Sequence, residues 1–450
     1  MEISKNLESL SNSFKKANYQ LYIVGGFVRD SLLGFNPTDI DISSNAPIDL
    51  VLEICNKHNF ICKVINKTLG TLQISKGSDI FEYTRFRVDS YGSGHTPKSV
   101  TFVDDILTDA KRRDLSLNAI YYDISNKKIV DPLNGQKDLK NNIIRTCQDA
   151  QITLKDDGLR ILRTIRISSM LGFKIERHTL KGLFHFRENL LLISKERILS
   201  ELKKLVIADT KFGIPNSTFW DMTNKLKLLP LIFNHSMHTI NKIPKSDILK
   251  FYETPCVTRL IAFYLIIIKN YSRHYLKIHQ LKFVINMLLG LDGIKESNDT
   301  IRLVEKLYQI YQNIEYDIDT LNASINYLSL LEENKKVIYL FLSPKAKERL
   351  NNNTMLVSAK NLPLGVHELK VSAKQLIEKG IDKRFVGQIL STLFNQVIEM
   401  KVKNEYKDLL ELALTINSTF LSISKSQNSR SKKWKLFIVI MHKEMLIQRS

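Results

Sequence analysis

Apolar residues recur along this chain with two different periods, and the change between them falls near residue 156. Before that point, short runs rich in β-branched and aromatic residues alternate with turn residues: QLYIVGG, TDIDIS, FICKVI, TLQIS, IFEYTRF, SVTFV and NAIYYDI. Runs of this kind predict β-strands. Helical patterns fit among them at residues 28–33, running on from the VGG turn, and at 48–58, while the opening MEISKNLESL reads as an amphipathic helix. Residues 1–145 therefore predict an α+β head with a mixed or largely antiparallel sheet. Over residues 157–171 the period lengthens, with Leu159, Leu162 and Ile165 on a winding apolar stripe beside arginines. From there to about residue 417 the pattern is helical, punctuated at Gly213-Ile214-Pro215, Lys242-Ile243-Pro244, Ser343-Pro344 and Leu362-Pro363. No repeat of fixed period is visible, so a regular solenoid is not indicated. The segment 421–450, Ser/Lys-rich with one short apolar patch, stays unassigned.

Composition narrows the class. A chain of 450 residues is too long for one ordinary core. With 44% hydrophobic and 25% charged residues, and only 17 Gly and 10 Pro, it is neither disordered nor collagen-like. The formal charge is +20, unevenly spread. Residues 1–150 carry 19 basic and 18 acidic side chains, and residues 151–450 carry 47 and 28, a net of +19. A polyanion, nucleic acid or an anionic membrane surface, should thus meet the second part. Cys55, Cys62, Cys147 and Cys256 form no CxxC pair and no zinc set, which fits reduced thiols. The N-terminus lacks the apolar core of a signal peptide, and the most apolar run, residues 260–268, is about half the length that crosses a bilayer. A cytoplasmic protein, with no membrane and no obligatory protein partner, is expected.

Three segments carry chemistry. In VGGFVRDSLLGFNPTDIDIS a strand ends at Val24, Gly25 and Gly26 turn it, and a helix follows with Arg29 and Asp30. Glycines leave backbone N–H groups open to a phosphate, and a helix N-terminus favours anions. Asp39 and Asp41 alternate on the next strand, so both carboxylates face one side. Paired carboxylates beside a phosphate-binding turn are most simply reconciled by Mg²⁺, whereas an isolated D-x-D would usually be a solvated face. The second segment is Lys111-Arg112-Arg113-Asp114-Leu115-Ser116-Leu117-Asn118. Flanking strand-like runs suggest that it packs on the sheet, where its arginines can clamp a triphosphate rather than decorate a surface loop. In the third, Asp156-Asp157-Gly158-Leu159-Arg160-Ile161-Leu162-Arg163-Thr164-Ile165-Arg166, polar residues recur every three positions. The spacing predicts a polar helical stripe, which can bind a ligand or simply form salt bridges to solvent.

VGGFVRD…DID, FEYTRFR, RRDLSLNA, DDGLRILRTIR and the segment Ser194-Lys195-Glu196-Arg197-Ile198-Leu199-Ser200-Glu201-Leu202 occur in the order seen in class II tRNA nucleotidyltransferases, and the chain resembles these CCA-adding enzymes over residues 20–205. More weakly, LKVSAKQLIEKGIDKRFVGQIL resembles the C-terminal RNA-binding region of the Gram-positive type. The resemblance implies a polymerase-beta-like nucleotidyltransferase head (1–145), followed by an all-α neck (146–210), body (211–360) and tRNA-binding tail (361–420), in an elongated, seahorse-like arrangement. It implies addition of C, C and A to the 3′ end of tRNA from CTP and ATP. Asp39 and Asp41 would hold two Mg²⁺ ions, with Glu82 a candidate third carboxylate. Gly25, Gly26, Arg29, Arg112, Arg113, Asn118, Asp157, Arg160, Arg163 and Arg166 would bind nucleotide, and the tRNA acceptor and T arms would lie on the basic remainder.

Within that reading, Asp157 and Arg160 would be the base template. Cytosine and adenine share an amino donor beside an unprotonated ring nitrogen, so one acceptor and one donor suit both. Uracil and guanine present the reverse, and leaving such groups unpaired costs roughly 1–3 kcal/mol each. Arg163 and Arg166 would hold phosphate or RNA. The chain departs from the family in three places: Asp156 stands where Glu is usual, His95 in the loop at residues 91–97 where Arg is frequent, and residues 421–450 have no counterpart. An enzyme adding only CC or only A, a bacterial poly(A) polymerase, and a non-catalytic RNA-binding relative are the alternatives. The intact loop at residues 88–98, the stretch Lys67-Thr68-Leu69-Gly70-Thr71-Leu72-Gln73-Ile74-Ser75 and the retained Asp39 and Asp41 speak for the CCA type.

Overall fold

The computed structural model describes residues 1–91, 97–214, 216–233, 243–271, 278–290 and 293–425. His95 and nearly all of the 421–450 segment lie outside the described residues. The chain divides into two compact units, Met1–Glu305 and Lys306–Ser450.

The first unit opens with helix α1 (Lys5–Lys16), capped by the Ser4 hydroxyl, which accepts from the Leu7 N–H. Then come β1 (Tyr22–Val24), α2 (Gly26–Leu32), β2 (Ile40–Ser44), α3 (Ile48–Lys57), β3 (Ile61–Asn66), β4 (Thr71–Lys76) and β5 (Asp79–Arg85). The hairpin β6 (Arg87–Tyr91) and β7 (Pro97–Phe102), α4 (Ile106–Lys111), β8 (Tyr121–Asp123), β9 (Lys128–Val130) and α5 (Gly135–Lys140) complete the head. Seven strands form one mixed sheet in the order β3-β4-β5-β2-β1-β8-β9, with β2 parallel to β5 and the other pairings antiparallel. Leu7, Leu10 and Phe14 of α1 lie one helical turn apart and are buried with Val51 and Ile54 of α3 against Ile23, Ile42, Ile74 and Phe81 of the sheet. The opposite face is covered on one half only. There Val24 and Tyr121 are buried with Phe86, Ala110 and Ala119.

Beyond the head the unit is helical, beginning with α6 (Ala150–Asp156), α7 (Leu159–Leu171), α8 (Arg177–Phe186) and α9 (Lys195–Leu205). A small parallel pair, Ile143–Ile144 with Lys174–Ile175, ties α7 back to the head. The second unit contains only helices among its described residues, and a core of Leu376, Ile389, Leu393, Leu409 and Ala413 unites Ala373–Glu378, Val386–Ile398 and Tyr406–Lys425. Among the described residues no helix is long and apolar enough to cross a membrane. The α+β head with helices after it is the fold class the sequence predicts.

Candidate active site

Antiparallel pairing sets Val24 opposite Asp41, and parallel pairing sets Asp41 opposite Glu82. The turn after β1 is possible only because Gly25 adopts φ +84°, and a Cβ there would stand 3.2 Å from the Asp41 carboxylate. Asp39 immediately precedes β2, on the side of Asp41, and like Asp41 and Glu82 it is exposed. The Asp41 carboxyl is pushed up to about 6, first by the protein that displaces water around it, then by the Glu82 and Asp39 carboxylates; Arg113 and Arg163 act the other way. Among the described residues no group of three or more His, Cys, Asp or Glu side chains lies close enough together to hold a metal ion, so Asp39, Asp41 and Glu82 do not form a three-carboxylate set. Asp41 and Glu82 stand opposite each other, with Asp39 two residues before Asp41.

Beside this row lies a buried ionic network. Asp109 of α4 is fully buried and accepts from Arg112 Nε at 2.7 Å, Arg113 Nη2 at 3.0 Å and the Tyr121 hydroxyl at 2.6 Å. Burial would raise its carboxyl, but Arg113 and Arg112 outweigh burial and hold it at about 2. Arg112 also lies 3.6 Å from Asp89, which pairs with Arg87 at 2.8 Å. The Lys111-Arg112-Arg113 run does pack on the sheet, but its two arginines are occupied by carboxylates of the head rather than pointing freely outward.

A second network runs from α2 to α7. Arg29, 3% exposed, donates to Asp30 at 2.6 Å and to the Asn118 side-chain oxygen at 2.6 Å. Asn118 donates to Asp114 at 3.1 Å, and Arg163 pairs with Asp114 at 2.6 Å. Burial would raise the Asp114 carboxyl, yet Arg163 and the Asn118 amide hold it below the usual carboxylate range. Arg166 pairs with Glu201 of α9.

The neck segment differs from its sequence pattern. A continuous helix over 157–171 is expected, but Asp157 is extended (φ −140°, ψ 108°) and α7 starts at Leu159. Next to the break, Gly158 is in helical conformation and packs so closely on Asn189 that a Cβ there would come within 2.7 Å of its backbone. Asp157 and Arg160 thus lie across a joint, not on one helical face. The two Asp157 oxygens accept from the Leu159 N–H at 3.0 Å and from Arg197 Nη2 at 2.7 Å. Arg160 is 7% exposed and donates to the carbonyls of Thr153 (2.9 Å) and Arg112 (2.6 Å) and to the Tyr91 hydroxyl (3.2 Å). A solvent-facing salt-bridge stripe therefore fails for Arg160, which ties the neck to the arginine-rich segment of the head.

Residues 21–145 match the family described as the Poly A polymerase head domain. A CCA-adding enzyme of Pediococcus pentosaceus is 30% identical over 418 residues, spanning 90% of this chain and 96% of that one. One from Staphylococcus saprophyticus is 30% identical over 80% of this chain and 85% of its own. The solved Bacillus stearothermophilus CCA-adding enzyme with CTP superposes with TM-score 0.59 at 21% identity over 92% of this chain and 98% of that one. The Thermotoga maritima CCA-adding enzyme complexed with tRNA gives 0.63 at 18%, over 92% and 96%. The chain belongs to the CCA-adding enzyme family.

Proposed function

We propose that this chain adds C, C and A to the 3′ end of tRNA from CTP and ATP. In this reaction the RNA 3′-hydroxyl attacks the α-phosphate and diphosphate leaves. The observation that carries the proposal is the row Asp41–Glu82, with Asp39 beside it and Gly25 against it, in a chain of this family.

The donor set fits Mg²⁺. The oxygens are hard, the carboxylates repel one another, and a pair of carboxylates leaves most coordination positions to water and substrate phosphate, as Mg²⁺ prefers. Asp39 and Asp41 would hold two ions, and Glu82, opposite Asp41, adds negative charge beside them. A divalent ion held there would lower the pKa of the attacking hydroxyl and neutralise charge on the triphosphate. The protein's own part is positioning. Gly25 and Gly26 leave room beside Asp41, while Arg112 and Arg113, aligned by Asp109, offer charge to the phosphates. Arg29 reaches no surface and holds Asn118; Arg163 and Arg166 brace α7 against the head and α9. Asp157 and Arg160 read the base. To do so Asp157 exchanges Arg197 for the amino group of C or A, and Arg160 exchanges the Tyr91 hydroxyl or the Arg112 carbonyl for the ring nitrogen. The excess of cations over residues 151–450 holds the acceptor and T arms through phosphates, and a cytoplasmic site of action follows from that substrate.

Asp41→Ala tests the assignment. Nucleotide addition should vanish while tRNA binding stays nearly unchanged; substantial Mg²⁺-dependent activity in the variant would contradict it.

A further inference from the structure

The sheet face that bears Asp41 is closed on one half and bare on the other. On the closed half Val24 and Tyr121 are buried under Phe86, Ala110 and Ala119. On the bare half the pairings draw two rows. Lys63, Gln73, Glu82 and Asp41 stand opposite one another across β3, β4, β5 and β2, and Ile61, Ser75 and Ile80 form the row beside them. Lys63 and Glu82 are exposed, and Ile61 and Ile80 are 73% and 57% exposed. The core needs neither isoleucine, since α1 and α3 fill the opposite face. Two branched aliphatics held in solvent on a sheet, in register with the site carboxylates, call for an occupant.

We propose that this bare half is the seat of the single-stranded 3′ end of the RNA substrate. Its last bases pack on Ile61 and Ile80, and a phosphate meets Lys63. The inference rests on the transferase reading above. A 3′-hydroxyl delivered to Asp41 brings its preceding nucleotides with it, and they must leave across a surface continuous with that residue. Toward β1 and β8 the face is filled by side chains. Toward β3 it is open for roughly 14 Å, three strand spacings, and ends on a cation. Aliphatic faces take up any base, so such a seat serves successive 3′ ends that differ in sequence. The remaining acidic groups of this face, Glu82, Asp39 and Asp41, lie at the reacting end, where they would meet metal rather than backbone phosphate.

The test uses the full chain and tRNA lacking its terminal CCA. In Ile61→Thr/Ile80→Thr, which keeps β-branched residues on the strands, KM for tRNA should rise about five- to twentyfold. Its kcat at saturating tRNA and its KM for CTP should hold. In Lys63→Gln the slope of log affinity for the RNA against log salt should fall by about 0.7. A tRNA carrying a photoreactive base at its 3′ end should crosslink to the peptide spanning residues 61–82. Unchanged KM and salt slope, or a crosslink only elsewhere, would overturn the seat while leaving the transferase reading intact. No incorporation by the unmodified chain would instead overturn the transferase reading. A protein that self-associates at assay concentration and becomes monomeric in the Ile61→Thr/Ile80→Thr variant would also overturn the seat, by making the face a contact between copies.

Discussion

Asp41 and Glu82 face each other from neighbouring parallel strands, and the loss of water around Asp41, reinforced by their mutual repulsion, keeps the Asp41 carboxyl at about 6. A carboxylate raised in the folded state binds its proton more tightly there than in the unfolded chain, where its pKa is about 3.9. Its charge therefore weakens the fold fully above pH 6, and the penalty fades as the pH falls toward 4. Asp41→Asn should stabilise the fold at pH 7.5, by no more than about 1 kcal/mol after solvent screening, and raise the thermal midpoint accordingly. The gain should shrink to nothing near pH 4. Mg²⁺ should stabilise the unmodified chain more than the variant, and thermal melts across pH with and without the ion check both statements.

Asp109 has the opposite sign. Its carboxyl is held at about 2, so the stability it confers is present above pH 4 and is lost as the pH falls toward 2. Asp109→Asn would leave Arg112 and Arg113 buried with too little negative charge. A loss of roughly 3–5 kcal/mol is expected, as for breaking other buried ion pairs. Urea unfolding followed through the head's tyrosines measures it, and an unchanged midpoint would show the network to be dispensable.

Arg160 joins structure and specificity in one side chain. Arg160→Ala removes donors to two backbone carbonyls, a cost of roughly 1–3 kcal/mol for each left unpaired. It also removes the donor proposed for cytosine N3 and adenine N1. Incorporation of CTP and ATP should fall by about ten- to hundredfold, with UTP and GTP affected much less. A purely structural role predicts an equal loss for all four nucleotides, so kcat/KM measured for each separates the two.

Local pattern made α1, α3 and most strands of the head readable, because their periods and turn residues act over a few positions. It also made Asp39 and Asp41 stand out, since alternation alone puts them on one side. Glu82 was readable as a strand glutamate and a candidate third carboxylate; its place opposite Asp41 depends on a parallel pairing that no local spacing encodes. Asp109 gave no signal, because a buried aspartate among helix residues looks like any first-turn acid until its arginines fold onto it. At Asp157 periodicity misleads. The polar spacing continues through the joint, but Asp157 leaves the helix there, and Arg197, far along the chain, takes the carboxylate. The arginines of the neck look like a solvent-facing stripe because sequence shows their spacing but not the partners Asp114 and Glu201 that receive them.

The most direct measurement is the length of the product. The chain is incubated with Mg²⁺ and tRNA that lacks its last three nucleotides, and each nucleoside triphosphate is offered alone and in pairs. CTP alone should extend the RNA by two, CTP with ATP by three and no further, and UTP or GTP not at all. A stop after two with both substrates present, a long A tail, addition of A only to tRNA already ending in CC, or no extension would contradict the account.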